Sequence, residues 1–259
     1  MGMNSALSIG VAGLNSFSSA LSVVSDNVAN ANTTAFKSSS VRFGDMVAGY
    51  YATLSQDNDR QGSGSAILSI DTNLSQGTMT STGNWSDLSI NGNGYFSVQD
   101  ATGTYYTRDG GFHIDSTGNF VNSEGRGVLN SSGSAINIPL NTYSSYSVSS
   151  SGQISGTRIS DGSSVVIDTM RVSTFPNPAS LTRTGANCYV PSTSSGAAVN
   201  GTAGTSPCGS IIGSSLEGSN VDLATEMVNM VTYQADYTAN SKSIQTANNM
   251  LNTVVNLIT

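Results

Sequence analysis

The residues in this 259-residue chain that could do chemistry are few: one histidine, two cysteines and scattered acids. A catalytic role for His113 would require a nucleophile and an orienting carboxylate, and no local motif supplies them. In Gly111-Phe-His-Ile-Asp115 it alternates with Phe112 and Ile114, so it faces away from their side of a strand. Cys188 and Cys208 stand 20 apart in a Ser/Gly/Thr/Pro stretch. A metal site wants about four ligands at closer spacing. A disulfide closing the loop would contribute about 3 kcal/mol, and two free loop thiols are the equal alternative. Asp57-Asn-Asp59 falls far short of a calcium ligand set. Gly62-Ser-Gly64 and Gly92-Asn-Gly94 lack the strand, loop and helix context of a nucleotide site and read as turns. Arg108 and Asp109, at a hairpin end, read as a surface charge and a turn. No acid–base constellation converges, so the reading assigns no catalytic residue, no cofactor and no metal ligand.

Composition excludes other classes. The net charge is −7, with no basic run, which argues against nucleic acid and anionic membrane as partners. Only 10% of residues are charged, against about 25% in ordinary soluble domains. Ser, Thr, Asn and Gly fill the deficit. Such a surface hydrogen-bonds but repels weakly, which suits packing against identical copies. No run of 18 apolar residues occurs, so no membrane span is expected. The start, Met1-Gly-Met-Asn-Ser-Ala-Leu-Ser, lacks the basic cluster and continuous apolar core of a secretory signal. The chain is expected either to stay inside or to leave by a route that reads no cleaved peptide.

The elements that would position these residues read as helix, sheet, helix. From Asn4 to about Asn30, Leu7, Leu14, Leu21 and Val28 recur every seven positions, with Val11, Phe17 and Val24 widening the stripe. At the other end Leu223, Met230, Tyr237, Ile244, Leu251 and Ile258 keep the same period, broadened by Met227, Val254 and Val255. Ser219 with Asp222 fits an acidic variant of the capping box, placing that helix start near Asn220. A straight helix drifts about 20° per heptad from a strict seven-residue repeat, so the pattern predicts two terminal helices paired as a coiled coil. The first 34 residues carry one charge, Asp26, and residues 219–259 carry Asp222, Glu226, Asp236 and Lys242. Solvated helix faces normally interleave Glu and Lys. Small neutral residues there predict a second interface, made with other subunits.

Between the helices, residues 37–65 read as a polar connector containing Gln61-Gly-Ser-Gly-Ser. Asp100-Ala-Thr-Gly103 joins two strands, 94–98 and 104–108, and Ser116-Thr-Gly118 joins 111–115 to 119–121. Residues 163–168 and 170–175 are further strands. Gly and Ser clusters at 131–134, 149–156 and 193–206 read as loops. The expected fold is α+β: 1–36 and 216–259 as paired terminal helices forming an assembly domain, and 66–215 as a mostly antiparallel β domain.

With these residues laid out, the chain resembles the flagellar hook and rod family of axial proteins. Gly10-Val-Ala-Gly-Leu14, Val24-Ser-Asp-Asn-Val-Ala-Asn30 and Thr33-Thr-Ala-Phe-Lys37 are similar to its N-terminal signature, with Ala35 where Gly is usual. Ser219-Asn-Val-Asp-Leu223, Glu226-Met-Val-Asn-Met230, Tyr237-Thr-Ala-Asn240 and Met250-Leu-Asn-Thr-Val-Val-Asn-Leu257 resemble its C-terminal signature, with Gln234-Ala235 in place of Gln-Arg. Gln76-Gly77, Asp87-Leu88, Gly92, Gly94-Tyr-Phe96, Tyr106-Thr-Arg-Asp-Gly110 and Phe112 also match. The resemblance implies a helical polymer of identical subunits in the flagellar hook or basal body. It further implies neighbouring rod, hook and hook–filament junction proteins, and export by the flagellar apparatus without a cleaved signal. The paired helices would line the inner tube. The terminal wording favours a compact hook subunit, joining rod to filament and transmitting torque, and the length favours the distal rod; the sequence reading takes the hook, with the distal rod as the alternative. A secreted β-rich adhesin or fibre module is the alternative from another class; it accounts for the composition but not for heptads at both ends.

Overall fold

We describe residues 3–47 and 62–258 in a computed structural model of the chain. They form an α+β fold divided into two compact units. The first is built from Met1–Ala31, Ser38–Asn73 and Val221–Thr259, the second from Asn32–Lys37 and Leu74–Asn220. Asp57-Asn-Asp59 and Gln61 lie outside the described residues.

In the first unit, helix α1 (Met3–Ala29) runs without a proline, and helix α2 (Leu223–Ile258) extends over 36 residues. The start of α2 corrects the expected cap. Asp222, not Ser219, is the N-cap: its Oδ1 accepts from the Ala224 N–H at 3.0 Å and its Oδ2 from the Thr225 hydroxyl at 2.8 Å. A carboxylate two residues ahead satisfies one of the free amides of the first turn. Strands β1 (Ser39–Val47) and β2 (Gly62–Thr72) pair antiparallel, with Val41 opposite Ile70. Residues 39–47 and 62–65 therefore belong to a hairpin, where a polar connector was expected. Its glycines and serines masked the alternation of Val41, Phe43 and Ile67, which supplies the apolar side. Phe17, Phe43 and Tyr233 join α1, β1 and α2, with ring centroids 5.4–6.2 Å apart.

Residues Ala6–Ala29 of α1 are long and apolar enough to cross a membrane by length and composition, with mean hydropathy 1.5. The search for uninterrupted apolar runs passes over it, because the helix interleaves Ser and Asn with apolar residues and has Asp26 as its single charge. In the fold the helix packs on α2 and β2 instead.

In the second unit every named strand pair is antiparallel. Tyr95–Asp100 pairs with Gly103–Thr107 and His113–Ile114 with Phe120–Val121, the two hairpins that the turn residues predict. The largest sheet runs from Thr182–Gly185 through Cys188–Val190, Gly103–Thr107, Tyr95–Asp100 and Gly127–Val128 to the short second hairpin. Arg171–Thr174 pairs with Tyr95–Asp100 on one side and Val199–Thr202 on the other. Tyr143–Val148, Gln153–Arg158 and Ser164–Thr169 form a separate three-stranded sheet. Strands at 153–158 and 199–202 thus replace parts of the expected loops; Ile154 and the ladder hydrogen bonds outweigh the local glycines. Leu88, Ile90, Phe96, Phe120, Ile136, Ile138, Met170 and Ile211 fill the core.

Candidate functional site

Two arrangements stand out, one in each unit. In the first, the deepest stripe of α1 is made of small residues: Gly10, Gly13, Ser16 and Ala20 are buried, followed by Val24 and Asn27. A Cβ on Gly10 would lie 2.7 Å from Ile244 Cγ1, and one on Gly13 would lie 2.7 Å from Asn240 Oδ1. The absence of a side chain is thus what lets α2 approach. Lower on the helix, Asn27 Nδ2 donates to Glu226 Oε1 at 3.0 Å and to the Ser39 carbonyl at 2.7 Å, while Asn27 Oδ1 accepts from the Ser39 N–H. One buried amide therefore ties α1, α2 and β1 together. Ser16 adds a hydroxyl bond to the Ser65 carbonyl of β2 at 2.9 Å.

The apolar positions at seven-residue spacing divide between two environments. Leu7, Leu14, Leu21 and Val28 of α1 are half-buried and Val11 is exposed. On α2, Met230, Ile244 and Leu251 are half-buried, whereas Leu223, Met227, Tyr237 and Val255 are exposed. The side chain of Ile258 lies outside the described residues. Val228 and Val231 are each 66% exposed, and Met250 and Val254 are also open. Hydropathy reading missed Gly10, Gly13 and Asn27, since neither a missing nor a polar side chain adds to an apolar stripe.

The second arrangement centres on Glu217, which sequence reasoning did not single out. Its Oε1 accepts from Lys37 Nζ at 2.5 Å and from the Gly77 N–H at 3.0 Å, and its Oε2 faces Arg108 Nη1 at 3.5 Å. All three charged side chains are buried. Lys37 also donates to the Ser75 carbonyl at 2.8 Å, and Arg108 Nη2 to the Gly92 carbonyl at 2.8 Å. Arg108 is therefore not the surface charge expected from its place before a turn; it is buried, 5.3 Å from the Tyr95 ring centroid. Burial pulls the Lys37 ammonium below its ordinary range, opposed by the Glu217 carboxylate, and pushes the Tyr95 hydroxyl up to about 12.

The backbone closes around the same point. The Ala35 N–H donates to the Glu217 carbonyl at 2.8 Å, and the Asn220 N–H to the Phe36 carbonyl at 3.3 Å. Asn187 Nδ2 reaches the Thr34 carbonyl at 2.7 Å, and Arg183 donates to the Lys37 carbonyl while lying over the Phe36 ring. Ala35 takes φ +57°, a left-handed turn that explains why glycine is usual there. A Cβ on Gly77 would lie 2.1 Å from the Gly218 carbonyl oxygen, so this position admits glycine alone. Thr33–Lys37, Gln76-Gly77, Gly92, Arg108 and Asn220, scattered in sequence, thus close as a clasp around the buried Glu217 carboxylate, with Gln76 and Gly92 at its exposed rim.

The remaining chemical candidates disperse. His113 is exposed on its strand opposite Val121. Both cysteines are free and buried, which corrects the disulfide alternative. Cys188 Sγ accepts from Arg126 Nη1 at 3.2 Å and Cys208 Sγ lies 3.7 Å from the Val172 carbonyl, so each thiol has its own surroundings. No cluster of three metal-binding side chains occurs among the described residues.

Comparison with known proteins agrees with this distribution. Residues 7–37 match the model of a flagella basal body rod protein, 89–156 that of the flagellar hook protein FlgE/F/G D1 domain, and 213–257 that of the flagellar basal body rod FlgEFG protein C-terminal. The chain is 38% identical to the flagellar basal-body rod protein FlgG of Bacillus subtilis, covering 96% of this chain and 97% of that one. The corresponding rod protein of Borreliella burgdorferi is 35% identical over 90% of this chain and 91% of its own length. The flagellar hook protein FlgE of the same organism is 37% identical, but over 44% of this chain and 27% of its own. Gly10 and Lys37 lie in the first matched segment, Arg108 in the second, and Glu217 and Ile244 in the third, and the chain belongs to the flagellar hook and basal-body rod family, whose members are structural components of the flagellum.

Proposed function

We propose that the chain is a subunit of the flagellar rod, of the distal kind, which polymerises with copies of itself and adjoins other axial proteins. Rod relatives align with it end to end, whereas the hook relative shares only the portion common to both. This favours the rod over the compact hook subunit that the wording of the termini suggested. The match covers only 27% of the hook relative's own length. The proposal includes export through the flagellar apparatus without a cleaved signal, and no catalytic activity.

The single observation that carries the mechanism is the outer face of α2. Met227, Val228 and Val231 are exposed near its start and Met250, Val254 and Val255 near its end, and residues 243–258 contain no charge. Monomeric proteins rarely leave such a face uncovered. In this reading α1 and α2 pair as a coiled coil through the small-residue stripe, and the outer faces are covered by sister helices. Leu223, Met227, Tyr237 and Val255 then serve the contacts between copies, and Leu14, Ile244 and Leu251 the contact within one. A secreted adhesin would have no use for either surface.

Imaging of basal bodies from a strain lacking the chain tests this. The rod reading expects short rods without hooks. Complete rods that lack hooks would restore the hook reading, and complete flagella would overturn both.

A further inference from the structure

The chain passes between its two units four times, at 31/32, 37/38, 73/74 and 220/221. Each passage leaves the second unit beside a bond of the clasp. Thr34 and Ala35 follow the first passage, and Lys37 stands at the second. Ser75, just after the third, accepts from both Lys37 Nζ and Asn220 Nδ2. Asn220 itself stands at the fourth. All the covalent routes by which tension could enter the second unit are thus gathered at one buried acid, Glu217.

The bonds are arranged to resist such tension. The Ala35 N–H donates to the Glu217 carbonyl at 2.8 Å and the Asn220 N–H to the Phe36 carbonyl at 3.3 Å. From one bond to the next the numbering rises along both segments, so 32–37 and 217–220 advance in the same direction. The first and last passages leave from opposite ends of this pair, and tension between them runs along the segments and loads both bonds together. The buried, charge-assisted contact from Lys37 to Glu217 reinforces the same pair. Asn187 and Arg183 hold the Thr34 and Lys37 carbonyls from the other side. The third passage lacks this arrangement. Met79–Ser81 runs antiparallel to Ser215–Glu217, so Leu74 and Asn220 leave from the same end, and tension there opens the ladder one bond at a time.

We propose that the clasp is a mechanical clamp that keeps the second unit closed when its chain passages are pulled. Glu217 is its positioning residue, because Lys37, Gly77 and segment 32–37 all bond to it. The proposal goes beyond the rod reading and does not depend on it, since it concerns a single chain.

The test holds single full-length molecules at constant force, once by their two termini and once through handles at Ala101 and Ser160, exposed positions outside the clasp. In the terminal geometry, opening of the second unit is recognised by a release of about 500 Å as residues 74–220 extend. Glu217→Gln should shorten the lifetime of the closed unit about tenfold or more in the terminal geometry, because forced opening follows the unfolding rate. Through positions 101 and 160, where the clasp is not pulled, the change should stay below about threefold. Equal shortening in the two geometries would mean that Glu217 serves overall stability alone. An unchanged lifetime in the terminal geometry would mean that the clasp carries no tension. Either result overturns the clamp. Asn187→Gly suits the left-handed turn at φ +53° and removes the side-chain bond to the Thr34 carbonyl. It should shorten the terminal lifetime several-fold and leave the other unchanged. Should the Glu217 variant fail to fold, Asn187→Gly decides on the same criterion.

Discussion

Glu217 Oε1 lies 2.5 Å from Lys37 Nζ, across 180 residues of sequence, with both side chains almost wholly withdrawn from water. The pair fixes where the segment after α1 meets the strand that precedes α2. Its contribution is geometric before it is energetic, because desolvating two charges consumes much of their attraction.

Removing the shared acid is therefore the severe change. Glu217→Gln leaves Lys37 and Arg108 buried without a counter-charge and is expected to cost about 3–5 kcal/mol in denaturant unfolding. Lys37→Met should cost less, because Arg108 still faces Glu217. Equal losses in the two variants would contradict the shared-acid arrangement.

Gly10→Val drives a side chain into Ile244 and should destabilise the helix pair by about 1–3 kcal/mol. Ile244→Ala in the same chain should recover part of that loss. Thermal unfolding followed by circular dichroism reads both, and additive effects would contradict a direct contact.

Ile244→Asp sets a charge where α1 closes on α2, and a buried unpaired charge costs several kcal/mol. Assembly should be lost while the second unit stays folded, seen as unchanged protease resistance of residues 74–220 beside a failure to form rods. Normal rods from this variant would remove Ile244 from the contact.

Asp100 and Asp115 are each held at about 2, first by the hydroxyls of Thr102 and Thr117 respectively and then by further hydrogen bonds. Unfolded aspartate titrates near 3.9, so between about pH 4 and 2 the unfolded chain binds the extra protons. Their stabilisation is complete above about pH 4 and is lost as the pH falls toward 2. Asp100→Asn with Asp115→Asn should flatten the slope of unfolding free energy against pH in that window.

The sequence made some of this legible and hid the rest. Heptad spacing located both helices, and Asp100–Gly103 and Ser116–Gly118 located two hairpins, because those signals are local. The contact face of α1 was hidden because Gly10 and Gly13 act by lacking a side chain. Arg108 read as a surface charge because the Asp-Gly after it signals a turn, but its guanidinium is buried against the Gly92 carbonyl and the Tyr95 ring. Glu217 sits in an unremarkable Ser-Leu-Glu-Gly stretch and gains meaning only from Lys37, Gly77 and Arg108, which lie 180, 140 and 109 residues away. Those pairings exist only once the chain has folded.

Hydrogen exchange of the amides in residues 223–258, measured on the purified chain and on isolated rods, tests the central claim most directly. Covering the outer face of α2 with sister helices predicts a large gain in protection on assembly, greatest around Val228, Val231, Val254 and Val255. Equal exchange in the free and assembled states would mean that this face stays open to water in the rod, and the account would fail.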